Sequence, residues 1–263
     1  MGLEVSQLRH AWHIQGRTIY ALLVRDLMMR YGRDNIGFVW VILEPMILTV
    51  GVMIVWSAMG HSSRGIKVVE LVLTGYMPLT MWRHLTGPVV GMFRANVGVL
   101  FHRRITLVDL VVARQALEII ATTTALLVVY AVLLIAGFID PLHRLDLILL
   151  GWLMMAWIGA VFGAMLAAFT EKHEVAERFI QPLQYLNVPI SGSFFLVDWM
   201  PDWAQQLILL HPLVHCFEVF RAGYFGDAIV THYNLPYFFT CAFLFTFIGI
   251  RWVQKVREHV RLV

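Results

Sequence analysis

Uncharged apolar runs of membrane-crossing length constrain this chain more than any other feature. Residues 119–139, 147–170, 179–197 and 235–250 contain no Asp, Glu, Lys or Arg. Roughly 20 apolar residues in an α-helix cross about 30 Å of hydrocarbon, where only structures that satisfy their own backbone hydrogen bonds are stable. Residues 38–59 add a run with one charge, Glu44. Residues 68–93 add another, interrupted by Glu70, Pro78, Arg83, His84 and Pro88. Charged residues make up 14% of the chain and apolar residues 59%, too little charge to cover a water-facing surface. The expected fold is an all-α polytopic membrane protein with six transmembrane helices.

The basic residues orient these spans. With the N-terminus cytoplasmic, the inner segments hold Arg9, Arg17, Arg25, Arg30, Arg33, Arg94, Arg103, Arg104, Arg114, Lys172, Arg178, Arg251, Lys255, Arg257 and Arg261. The outer segments hold only Arg64, Lys67, Arg144 and Arg221. Five or seven spans would leave one basic terminus on the wrong face. Both termini are therefore expected in the cytoplasm.

Residues 1–35 carry no apolar core or cleavage site of a signal peptide. Leu8, Ala11, Trp12, Ile19, Leu22, Leu23, Leu27 and Met28 recur near helical spacing with basic residues between them. This pattern points to an N-terminal amphipathic helix lying in the membrane interface, with a solvated helix ahead of the first span as the alternative. Residues 36–253 form the six-span domain and 254–263 a cytoplasmic tail. Within the domain, 94–114 form a cytoplasmic connection. Residues 198–234 are apolar but broken by Pro201, Pro212 and Gly223, which points to re-entrant helices dipping from the outer face before the last span.

Motifs for catalysis are missing. The sequence has no G-x-x-x-x-G-K-[ST] phosphate loop, no H-E-x-x-H and no G-x-S-x-G. No catalytic residue, metal or cofactor is expected in this chain. His211 and His215 have metal-compatible i, i+4 spacing, but Pro212 lies between them. Glu171, His173, Glu174 and Glu177 form one acidic cluster, and the spacing of Glu171, Glu174 and Arg178 fits a salt-bridged helix turn. Cys216 and Cys241 are too few for a disulfide scaffold.

Ionisable residues inside spans are costly. Glu44 lies roughly 12 Å from the inner face, and Arg83 roughly 8 Å, at 1.5 Å per residue. The two are expected in one membrane layer, either fixing helix packing or facing a polar pathway. Glu118 is a further candidate for that layer. Trp56, Tyr76, Trp82, Trp152, Trp157, Phe194, Phe195, Trp199 and Trp203 fit interfacial belts or packing, or stacking on sugar rings.

The string Arg30-Tyr31-Gly32-Arg33, continuing through Gly37-Phe38, Trp40 and Glu44-Pro45, resembles the membrane permeases of ABC polysaccharide exporters of the type-2 superfamily. It is most similar to the KpsM-type capsular polysaccharide permeases. His211-Pro212-Leu213, His215, Glu218, Arg221 and Phe225 resemble the family's N-P-[LI]-x-H-x-x-E-x-x-R-x-x-x-F segment, with His211 in place of Asn. The resemblance implies a transport subunit of the bacterial inner membrane that works as a homodimer. Two separate ABC ATPase subunits would supply ATP and Mg chemistry. A periplasmic polysaccharide co-polymerase and an outer-membrane exporter would continue the path, and no nucleic acid is involved. The substrate would be a lipid-linked capsular polysaccharide, or else another lipid-linked glycan such as O-antigen or teichoic acid. A drug-efflux permease, a membrane-embedded glycosyl or phosphoryl transferase and a purely structural membrane subunit are the readings that compete with it. A coupling helix near 97–109 would dock on the ATPase through Phe101, His102, Arg103 and Arg104; a basic loop held at anionic lipid fits the same residues. The substrate pathway would involve Arg25, Arg30 and Arg33 at the inner rim, then Glu44, Trp56, Tyr76, Trp82, Arg83, Phe194 and Phe195.

Overall fold

The computed structural model describes residues 2–31, 43, 46–47, 50–55, 66–100 and 105–260. Its regular elements are helices. Helix α1 runs Gly2–Tyr31, α2 Val68–Thr86, α3 Met92–Ala95, α4 Val97–Leu100, α5 Leu107–Ile135 and α6 Leu145–Lys172. Then follow α7 (Glu177–Asn187), α8 (Asp202–Ile208), α9 (Pro212–Phe225) and α10 (Leu235–Val260). Among the described helices, α5, α6 and α10 are long and apolar enough to cross a bilayer.

Helix α6 is the centre of the bundle and packs against α2, α9 and α10. Its Trp152, Met155 and Ile158 meet Met77, Met81 and Leu85 of α2, Phe217 and Phe220 of α9, and Phe238 and Ala242 of α10 in one apolar core. A smaller core joins Phe93, Leu107, Leu110, Ala167, Val253 and Val256 at the end that carries Thr86 and Lys172. This is the basic end. Helix α1 lies against α5.

Several helix limits differ from the hydropathy runs. Helix α5 starts at Leu107 rather than near 119, because Thr106 and Asp109 form a capping box. The Thr106 hydroxyl accepts from Asp109 N–H at 3.2 Å, and the Asp109 carboxylate accepts from Thr106 N–H at 2.9 Å. The helix thus contains Arg114 and Glu118, and the connection from α2 ends at Thr106 rather than at 114. Helix α2 keeps Pro78 in its interior but stops at Thr86, before the run expected to reach 93. The uncharged run 179–197 is not one helix. It is helical to Asn187, then turns.

At the opposite end of the bundle, Lys67 Nζ pairs with Asp140 at 2.6 Å, and buried Glu70 accepts from Asp140 N–H at 2.8 Å. The Asp140 carboxylate raises the Lys67 pKa, and Arg144 Nη2 donates to Asp146 at 2.7 Å. These contacts fasten the α5–α6 turn to the start of α2.

Candidate functional site

Two polar assemblies stand out in this apolar bundle. The first is built on α9. Pro212 occupies the first helical turn, where its missing N–H costs nothing. His211 precedes it as N-cap, and its Nδ1 accepts from Leu213 N–H at 3.3 Å. Asn is a favoured N-cap, so His211 does here what Asn would do. One turn on, buried His215 accepts from Asn234 N–H through Nδ1 at 3.1 Å. Its proton therefore sits on Nε2, 3.0 Å from the Leu209 carbonyl it donates to. Both ring nitrogens are used by backbone, so His215 fastens the start of α10 rather than holding a metal. Glu218 accepts from His232 N–H at 2.8 Å.

Arg221, fully buried, completes this face. Its Nη1 donates to the carbonyls of Gly192 at 2.7 Å and Phe195 at 2.6 Å, and its Nη2 to that of Ser193 at 2.7 Å. These are the carbonyls freed where the 179–197 run leaves helix. Gly192 has φ +85°, which favours a residue without a β-carbon. A non-helical backbone at membrane depth needs partners from protein or water, and one guanidinium supplies three. Ser193 also packs on Gly75 of α2, so α2, the broken segment and α9 meet at one point.

The second assembly is a row of charges at the basic end. Arg25 on α1 pairs with Asp26 at 2.7 Å and donates to Asn96 at 2.6 Å. Asp26 lies 3.9 Å from Arg114, Arg114 lies 3.4 Å from Glu118, and Glu118 lies 3.0 Å from His84 Nδ1 on α2. Beside it, Arg94 pairs with Glu177 and, at 3.7 Å, with Glu171. Glu171 and Glu177 of the acidic cluster are thus bound to Arg94. Helix α6 ends at Lys172 and α7 starts at Glu177, so Glu171 and Arg178 do not share one helix.

The remaining sequence-derived candidates are placed as follows. Tyr76 and Trp82 are buried in the core, with the Trp82 ring 5.3 Å from Phe162. Arg83 is half-buried, and its guanidinium lies 5.4 Å from the ring centre of exposed Tyr185. Among the described residues no carboxylate pairs with it. Phe194 and Phe195 are half-buried within the broken segment. Trp152 and Trp157 donate their indole N–H groups to Thr123 and Thr246 at 2.9 Å and 3.0 Å, as packing residues do. Arg33, Glu44, Trp56, Phe101, His102, Arg103 and Arg104, and the side chain of Arg30, lie outside the described residues. Asp26, Asn96 and His84 were not legible as site residues, since their partners lie on other helices. Glu118 was legible only as a costly charge.

Comparisons with known proteins agree with the resemblance. The chain is 35% identical over 248 residues to the capsule polysaccharide export inner-membrane protein CtrC of Neisseria meningitidis, covering 94% of each chain. It is 33% identical over 258 residues to the capsule polysaccharide export inner-membrane protein BexB of Haemophilus influenzae, covering 98% of this chain and 97% of that one. It is 24% identical over 261 residues to the polysialic acid transport protein KpsM of Escherichia coli, covering 97% and 98%. The family profile described as ABC-2 type transporter matches residues 17–225. The helical bundle, its apolar spans and these matches establish that the chain belongs to the ABC-2 type transporter family.

Proposed function

We propose that this chain is the membrane permease subunit of an ATP-driven exporter that moves lipid-linked capsular polysaccharide across the bacterial inner membrane. The carrying observation is near-full-length similarity to CtrC and BexB, both named for capsule polysaccharide export at the inner membrane. In this reading two copies form the conduit, each with six spans and both termini cytoplasmic. The outer segment 198–234 forms its re-entrant helices, and α1 is the interfacial helix. Two separate ATPases, which contain the phosphate loop this chain lacks, dock at Phe101, His102, Arg103 and Arg104. The co-polymerase and outer-membrane exporter continue the path.

A polyanionic glycan faces a layer whose low dielectric opposes charge. Arginines and aromatic faces along the path lower that barrier without tight binding of one sugar. Arg83 beside Tyr185 supports such a role, because its charge is not spent on a carboxylate among the described residues. Arg25, held by Asp26 and Asn96, together with Arg30 and Arg33 forms the receiving group at the inner rim. Glu44, Trp56, Tyr76, Trp82, Phe194 and Phe195 complete the proposed lining.

Deletion of the gene in an encapsulated host is the test. Loss of surface polysaccharide with intracellular build-up of the glycolipid, restored by the wild-type gene, is the expected result. A normal capsule in the deletion strain would overturn the reading.

A further inference from the structure

Under the proposed topology α7 borders lipid, and lipid gives apolar side chains no drive toward the bundle. Phe179, Leu183 and Leu186 of α7 are exposed, and Ile180 is its one buried residue. Polar contacts therefore set where α7 stands. Toward its end, Gln184 Nε2 donates to the hydroxyl of Thr86, the last residue of α2, at 3.0 Å. The next residue, Tyr185, carries the ring beside the Arg83 guanidinium. The α2–α7 seam thus has one hydrogen bond and one cation–ring contact on neighbouring residues.

One side chain holds the base of the same helix. Arg94 of α3 pairs with Glu177, the first residue of α7, and at 3.7 Å with Glu171 in the last turn of α6. Its Nη2 also donates to the Thr170 carbonyl at 3.4 Å. Gly91 N–H, just ahead of α3, donates to the buried Thr170 hydroxyl at 3.4 Å. The Glu171 side chain is 10% exposed, and a carboxylate this buried is stable only with its cation. A guanidinium has five donors in a planar fork, enough for two carboxylates and a carbonyl. Arg94 thus joins the end of α6, the start of α7 and the stretch that follows α2. Tyr185 lies about 12 Å along α7 from Glu177, so a tilt at this base carries the Tyr185 ring away from Arg83.

We propose that Arg94 is a positioning residue for export: by binding Glu171 and Glu177 it fixes the base of α7 and so keeps Tyr185 beside Arg83 on the substrate path. The proposal rests on the permease reading and deepens it, because it names the residue on which the geometry around Arg83 depends.

The full-length chain is purified alone and with its ATPase, as wild type, Arg94→Gln, Arg94→Lys, Arg83→Gln and the double variant of Arg83→Gln with Arg94→Gln. Amide hydrogen exchange over residues 177–187 is read first, on the chain alone. Exchange about tenfold faster or more is expected in Arg94→Gln, as for the loss of charge-assisted bonds that hold a local opening shut, with Arg94→Lys between it and wild type. Unchanged exchange overturns the proposal. This arm needs neither ATPase nor glycan, so it is decided even where the wild-type complex exports nothing, a result that would instead remove the permease reading. In assembled complexes, Arg94→Gln is expected to lower export per complex about fivefold, and to lower it less than about twofold further when Arg83→Gln is already present. Wild-type export in Arg94→Gln overturns the proposal. So does a full second fivefold loss in the double variant, since a purely structural role adds to the loss of Arg83 whereas a role exerted through Arg83 does not. Should Arg94→Gln fail to accumulate, Glu177→Gln, which leaves Arg94 its contact with Glu171, carries the same readouts.

Discussion

The carbonyl oxygen of Ser193 lies so close to Gly75 that a β-carbon on Gly75 would overlap it, and the same oxygen accepts from Arg221 at 2.7 Å. A small residue on α2 thus makes room for the polar knot that α9 ties in the broken segment.

Gly75→Ala forces either α2 or the carbonyl to move. The expected cost is about 1–3 kcal/mol, as for other overpacked interiors. A fall in the melting temperature of the detergent-purified protein is the measurement. A variant as stable as wild type would refute the close approach.

Replacing Arg221 tests the knot from the other side. Arg221→Met leaves three carbonyls without their donors, at about 3 kcal/mol or more. Arg221→Lys keeps the charge but loses the fork that reaches three acceptors at once, so it recovers only part of the loss. Membrane abundance and melting temperature should rank wild type above Lys and Lys above Met.

His211 acts as a helix cap through Nδ1, so Asn can replace it. His211→Asn is expected to leave stability within about 0.5 kcal/mol of wild type, and His211→Ala to lose about 1 kcal/mol. Equal loss in both would show that the imidazole serves some other contact.

Arg83→Gln removes the charge that lies beside Tyr185 and keeps much of the side chain's bulk. Under the proposed function it lowers export of an acidic glycan about tenfold, the effect of losing roughly 1.4 kcal/mol of stabilisation for the passing charge, with normal protein abundance. Polysaccharide transport into inverted vesicles is the assay, and full transport with full abundance removes Arg83 from the pathway.

The proposed topology also has a direct check. Single cysteines at His13 and at Lys255, in a chain freed of Cys216 and Cys241, should react with an impermeant maleimide only after the membrane is opened. Labelling of one site in intact spheroplasts would place the termini on opposite faces.

Much of this arrangement was legible in the sequence. The uncharged runs at 147–170 and 235–250 lie within α6 and α10, because continuous apolar residues report a spanning helix whatever its neighbours. The family was legible from two motifs, and the second acquires a role at each position: His211 caps, His215 and Glu218 anchor backbone, Arg221 binds carbonyls and Phe225 packs. The break after Asn187 was not legible. Hydropathy counts apolar side chains and passes over Pro189, which cannot continue the helix, and Gly192, which takes a positive φ; Arg221 then binds the carbonyls that the break frees. The early start of α5 was missed for a similar reason, since Asp109, Arg114 and Glu118 read as charges that end a span. They are stable there because α1 and α2 supply Gln15, Asp26 and His84. The Glu44–Arg83 relationship lies outside the described residues.

Arg221 stands 26 to 29 residues after the carbonyls it binds. The ribosome therefore delivers the acceptors well before their donor. Until α9 has been made, the stretch around Ser193 has no way to shed its water, and lipid alone cannot replace that water. Under the proposed topology, residues 177–225 are expected to settle into the bilayer as one late event, after Arg221 has left the exit tunnel.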